Sequence, residues 1–237
     1  MLKTVARRYD GTLYGLRVAV LCSRRAPGLS YLLDRKAHEL VCVVSSDAEC
    51  VEHEDLVRAG VPHLVHDIRR LSGLARRPDY DRETVQLLAP FRPDLVILCG
   101  YLYIVTAPLL EAYRDRVINI HDSDLAQVDE QGRPRYPGLH AVRDAMFAGE
   151  RETRSSVHIA TPDVDGGPLL LRSRAFPTHP LVHAARRWGA TDILKAYAYA
   201  QREWMMRESW GPLLAGAIDL AAQGDLVAND AHALAER

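Results

Sequence analysis

A single α/β domain on a doubly wound, mostly parallel sheet is the fold class this sequence predicts, and three observations predict it. Short apolar runs alternate with amphipathic stretches through the first half of the chain, the pattern of repeated βαβ units. The second half changes to an alternating strand pair joined across Asp165-Gly166-Gly167-Pro168, followed by an alanine-rich helical tail. A chain of 237 residues with 48% hydrophobic content can also bury a sizeable core without disulfides or metals.

Taken in order, Leu16 to Cys22 reads as the first buried strand and Leu29 to His38 as the helix after it. Leu40 to Ser46 is the second strand, and Glu49 to Ala59 carries helical spacing. Val61 to Val65 reads as an edge piece, since Pro62 would interrupt a central ladder. Arg82 to Phe91 is helical, and Pro93 marks the turn before the strand Leu95 to Cys99. Pro108 to Tyr113 is a short helix, and Val117 to Ile120 a fourth strand. Ser155 to Thr161 alternates, with Val157 and Ile159 set against His158, so His158 is expected on the sheet's other face. Leu169 to Phe176 is its hairpin partner. The tail from Val182 to Gln223 is helical, with Gly211-Pro212 expected to break it into two pieces. Residues 1–15 read as an N-terminal extension and 16–237 as one domain.

Charge and cysteine usage exclude several function classes. Thirty Lys+Arg against 31 Asp+Glu leave a net charge of -1, so no global field recruits nucleic acid or an anionic membrane. Of Cys22, Cys42, Cys50 and Cys99, three sit inside apolar runs and none shows C-x-x-C spacing; reduced thiols in a cytoplasmic protein are expected. The first ten residues are too polar for a signal segment. A zinc site needs a compact Cys/His set, and no metal site is expected here.

The chemistry concentrates in Val117-Ile118-Asn119-Ile120-His121. Period-two alternation turns Asn119 and His121 to one face at the carboxyl end of a strand, where ligands of open α/β sheets sit. Asp165 lies on the Gly-Gly loop, which can bring a carboxylate to that face. Singly, these are ordinary turn, cap and surface residues. Together, an amide donor, an imidazole and a carboxylate can polarise a carbonyl, move protons and steady an oxyanion, which points to acyl transfer.

Asn119-x-His121, then Tyr136-Pro137-Gly138-Leu139-His140, then Asp165-Gly166-Gly167-Pro168 resembles the folate-dependent formyltransferase family, over about Leu16 to Leu226. Within that family the order is most like the single-domain glycinamide ribonucleotide enzymes. The resemblance implies 10-formyltetrahydrofolate as formyl donor, with Asn119, His121 and Asp165 catalytic. It implies donor contacts from Leu102, Tyr103, Ile104 and Val105 on one side and Thr161, Asp163 and Val164 on the other. The acceptor it implies is a small primary amine, either glycinamide ribonucleotide or a metabolite such as an amino sugar or modified amino acid. Arg24, Arg25 and Glu208 are the acceptor-side candidates. The competing readings are a formyltetrahydrofolate hydrolase and a non-catalytic folate-binding module of the same fold.

The chain departs from the family in three places. The turn Cys22-Ser23-Arg24-Arg25-Ala26-Pro27-Gly28 replaces a glycine-rich phosphate cradle, and Pro27 removes an amide donor. Tyr103 stands where relatives commonly carry arginine. Residues 122–135 add a polar loop between His121 and Tyr136-Pro137-Gly138.

Overall fold

The computed structural model describes residues 15–35, 37–70 and 76–226, together with Arg8–Tyr9 (β1) and Thr12–Leu13 (β2), which pair antiparallel. The rest of the expected extension over 1–15 and the tail beyond 226 lie outside the described residues.

Seven strands form the central sheet: β3 (Leu16–Cys22), β4 (His38–Ser45), β5 (His63–Val65), β6 (Leu95–Leu98), β7 (Val117–His121), β9 (Ser156–Ile159) and β10 (Leu169–Arg172). Their order is β10-β9-β7-β6-β3-β4-β5. The pairs from β5 to β7 are parallel, and β7–β9 and β9–β10 are antiparallel. From β3 the chain builds outward to β5, then returns to build β6 and β7 on the other side. That reversal puts the switch point, where ligands of open α/β sheets sit, beyond the carboxyl ends of β3, β6 and β7. β5 is an edge strand, as Pro62 requires. A separate pair joins β8 (Glu152–Thr153) to β11 (Phe176–Pro177), so Phe176 leaves the main sheet.

Both sheet faces are covered, which is why β6 is apolar throughout and β3 is apolar from Val18 to Cys22. On one face α1 (Leu29–Leu33), α2 (His53–Ala59) and α8 (Gly211–Gln223) meet the sheet; Leu29, Leu56, Leu214 and Ile218 pack with Val18, Ile97, Ile118 and Val157. On the other, α3 (Arg77–Leu88) and α4 (Ala107–Ala112) place Leu88 and Leu109 against Ala19, Leu21 and Leu98. A third cluster joins α5 (Ala141–Ala148), α6 (Pro180–Trp188) and α7 (Thr191–Met205) around Phe176.

Several boundaries differ from the sequence reading. The first helix ends at Leu33, because β4 begins at His38 to pair with Leu16. The helix expected from Glu49 begins at His53. α3 runs Arg77–Leu88, earlier than the expected 82–91, with a 3₁₀ turn over Ala89–Phe91. Its buried face includes Asp81 and Thr84, polar residues that hide the helical period. Burial raises the Asp81 carboxyl, which accepts from Thr106 N and Oγ1 at 2.5 and 2.6 Å and so anchors the start of α4. Gly211-Pro212 does not break the tail. The chain instead widens into a π turn over Met206–Trp210 and continues into α8, accommodating the missing N–H of Pro212. The break lies earlier, at Gly189 between α6 and α7.

Candidate active site at the strand ends

β7 carries Asn119 and His121 to the carboxyl edge of the sheet, and β9 runs back alongside it. The register sets Asn119 directly opposite His158 and His121 opposite Ser156. Directly paired residues share a face. His158 therefore points into the site, not to the opposite face as alternation suggested, and it is 2% exposed.

Asp165 closes the arrangement. It holds a left-handed backbone (φ 53) at the tip of the 160–168 loop. Its carboxylate lies 3.5 Å from His121 Nε2, 3.6 Å from His158 Nε2, and accepts from Asn119 Nδ2 at 3.4 Å and Gly138 N at 2.7 Å. Gly167 makes the loop possible, since a Cβ there would fall 1.8 Å from the Ile159 carbonyl oxygen. Burial by itself would raise the Asp165 carboxyl. The His158 hydrogen bond, the His121 charge and the Gly138 N–H outweigh it and hold the group at about 2. Asp165 is thus an anion in a nearly closed setting.

The hydrogen bonds orient both rings. His158 Nδ1 lies 3.0 Å from the Ile159 carbonyl, an acceptor only, so that nitrogen carries a proton, and Nε2 faces both Asn119 Nδ2 at 3.1 Å and Asp165 Oδ1 at 3.6 Å. His121 Nε2 faces the Tyr136 carbonyl at 3.4 Å and Asp165 Oδ2 at 3.5 Å, two acceptors, which places its proton on Nε2. The Tyr136-Pro137-Gly138 segment therefore supplies a carbonyl to His121 and an N–H to Asp165.

The three expected catalytic residues come together. The expected donor residues divide. Leu102, Tyr103, Ile104 and Val164 are 40–60% exposed, an apolar rim beside the strand ends. Val105 instead is buried in the core with Leu109 and Tyr113. Thr161 Oγ1 donates to the Asp163 carbonyl at 3.2 Å, tightening its own loop. The 100–105 loop is pinned by Leu102 N donating to Ser23 Oγ at 3.0 Å and Arg77 donating to the Ile104 carbonyl at 2.6 Å.

On the acceptor side, Arg24 pairs with Glu49, and Arg25 makes a two-pronged pair with Glu203 at 2.9 and 3.1 Å. Glu208 sits 4.0 Å from Arg174, so the carboxylate at the Arg25 turn is Glu203, one helical turn earlier. The 122–135 loop is a structured hairpin: Val128 bridges to Pro134, and Asp124 is held by Arg172 at 3.0 Å. Asp122 is buried beside Arg202, which donates to it at 2.5 Å; burial raises its carboxyl. Sequence reading missed Glu203, Asp122, Arg202 and His158, because each is placed by tertiary pairing rather than by local spacing.

The family model described as formyl transferase matches residues 16–179, well over half of the 237-residue chain. This chain belongs to the formyl transferase family. It is 31% identical over 164 residues to the phosphoribosylglycinamide formyltransferase of Escherichia coli K12, covering 67% of this chain and 72% of that protein. It is also 31% identical over 188 residues to the trifunctional purine biosynthetic protein adenosine-3 of Drosophila melanogaster, where it spans only 13% of that protein's length. The glycinamide ribonucleotide transformylase 1 structure from Symbiobacterium toebii superposes with a TM-score of 0.68 at 28% identity, covering 93% of this chain and 94% of that one. The formyl transferase match ends at residue 179, before α6–α8, whereas the fold likeness takes in nearly the whole chain.

Proposed function

We propose that this chain is an N-formyltransferase that moves a formyl group from 10-formyltetrahydrofolate to the amine of glycinamide ribonucleotide. The observation that carries the reading is Asp165, a buried anion that faces His121 and Asn119 together. The apolar rim of Leu102, Tyr103, Ile104 and Val164 suits a flat heterocycle such as the folate head. The bound folate supplies an electrophilic formyl carbon.

The chain's own groups do the rest. Asn119 Nδ2 donates to the formyl oxygen as that oxygen gains charge, and the His121 ring N–H, oriented by Asp165, gives it a second donor. The attacking amine sheds a proton and the leaving nitrogen takes one; the Asp165 carboxylate is the adjacent proton acceptor and His121 Nε2–H the adjacent proton donor, and the 3.5 Å between them lets the proton return to the ring. Asp165 also fixes the His121 ring, with Gly138 N holding the carboxylate still.

Support for the acceptor comes from the relatives, since the E. coli protein bears the name of that reaction. Arg25 would release Glu203 to meet an acceptor phosphate. The test is formyl transfer measured as product mass gain, with wild type and Asn119→Ala, His121→Ala and Asp165→Asn. Each variant should lose roughly 100- to 1,000-fold in turnover with unchanged circular dichroism. Near-wild-type turnover in two of them overturns the site. Formate release without amine overturns the transferase, and transfer only to other amines overturns the acceptor.

A further inference from the structure

A second site stands apart from the strand-end crevice. A cavity of about 570 Å³ is lined by Arg151, Thr178, Pro180, His183, Arg186 and Arg187, between the β8–β11 pair and α6. Three arginines and a histidine line it, and among the described residues no carboxylate does. In a chain whose net charge is -1, such one-signed crowding is a local exception. Like charges gathered at one groove repel, so the arrangement costs stability unless something anionic occupies it.

The nearest acids in the chain are committed elsewhere. Glu150 accepts from Tyr136 Oη at 2.7 Å and pairs with Arg135 at 3.4 Å. Glu152 pairs with Arg154 at 3.4 Å. Among the described residues neither Arg151 nor Arg187 has an ion-pair or side-chain hydrogen-bond partner. Arg186 is oriented but not neutralised: its Nε donates to the Phe147 carbonyl at 2.8 Å, and its guanidinium lies over Gly149, where a Cβ would come within 2.0 Å of Nη1. Any side chain at 149 would displace that guanidinium. The floor is firm as well, because Thr178 is 8% exposed and donates its hydroxyl to the Glu150 carbonyl at 3.0 Å.

We infer that this groove binds a small molecule bearing two or more neighbouring oxyanions, phosphate or carboxylate, gripped by Arg151, Arg186 and Arg187. Guanidinium forks match both oxyanion types in two-pronged geometry, and a cavity of this size admits a metabolite rather than a single ion. The inference is independent of formyl transfer, since no residue of the strand-end site lines the groove.

Calorimetric titration of the full chain with pyrophosphate and, separately, tricarballylate tests it. Saturable one-site binding of at least one is expected, weakened at least about tenfold in Arg151→Gln/Arg187→Gln. Both residues are exposed, so the variant should keep the wild-type melting temperature, and single Arg187→Gln serves if it does not. Tighter pyrophosphate assigns the site to phosphate ligands and tighter tricarballylate to polycarboxylates. No saturable heat with either anion, or equal binding by the variant, overturns the site.

Discussion

At Asp165, two imidazoles, an amide and a backbone N–H meet one carboxylate. Its ordinary value of 3.8 falls to about 2 in the folded chain. A carboxyl lowered by folding contributes stability above its unfolded value and loses it as pH falls through the folded one. The native chain should therefore hold about 2 kcal/mol from this group at neutral pH, fading between 3.8 and about 2. Urea unfolding of wild type and Asp165→Asn checks this: the gap between them should be widest near neutrality and close toward the acid end. A gap that stays constant with pH would remove the charge from the argument. His158 belongs to the same scale. His158→Ala should lower turnover less than Asn119→Ala, because it frees the amide to rotate without removing it.

Elements explain what was readable beforehand. The span Leu16–Cys22 agrees with the sequence reading because helices cover both sides of β3, leaving an unbroken apolar run from Val18 to Cys22. Asn119 and His121 were legible because period two depends on local geometry alone. The face of His158 was not, since the antiparallel register with β7 decides it. α3 was misplaced because a buried Asp81 and Thr84 interrupt its apolar stripe, and the π turn at Met206–Trp210 leaves no local sign. The β9–β10 hairpin supplies a sharper test of loop chemistry. Gly167→Ala places a methyl against the Ile159 carbonyl, forcing the loop that carries Asp165 to shift. Loss of about 1–3 kcal/mol in unfolding free energy is expected, with turnover falling further than stability accounts for. Unchanged turnover in a folded Gly167→Ala would separate loop position from catalysis.

Across the whole molecule, the carboxyl-terminal helices are structural partners of the sheet rather than an appendage. Met206, Trp210, Leu213, Leu214 and Ile218 belong to one core with Val18, Ile97, Ile118 and Val157. Trp210, 2% exposed, donates its Nε1 to Ser155 Oγ at 3.2 Å, tying the π turn to the start of β9. Arg25 and Glu203 join the turn after β3 to α7, and Arg202 and Asp122 join α7 to the end of β7. The strand ends are thus braced by residues beyond the 16–179 stretch that matches the family. A chain stopped at 179 would uncover the part of the sheet face that α8 and the π turn pack on, and leave Asp122 without its cation. Such a fragment should show no cooperative thermal transition. Trp210→Ala in the full chain should melt cooperatively but lose about 3–5 kcal/mol, the cost of emptying a large buried aromatic site. Calorimetric unfolding of both distinguishes the cases, and a fragment that melts as sharply as the full chain would show the sheet standing without its helical cover.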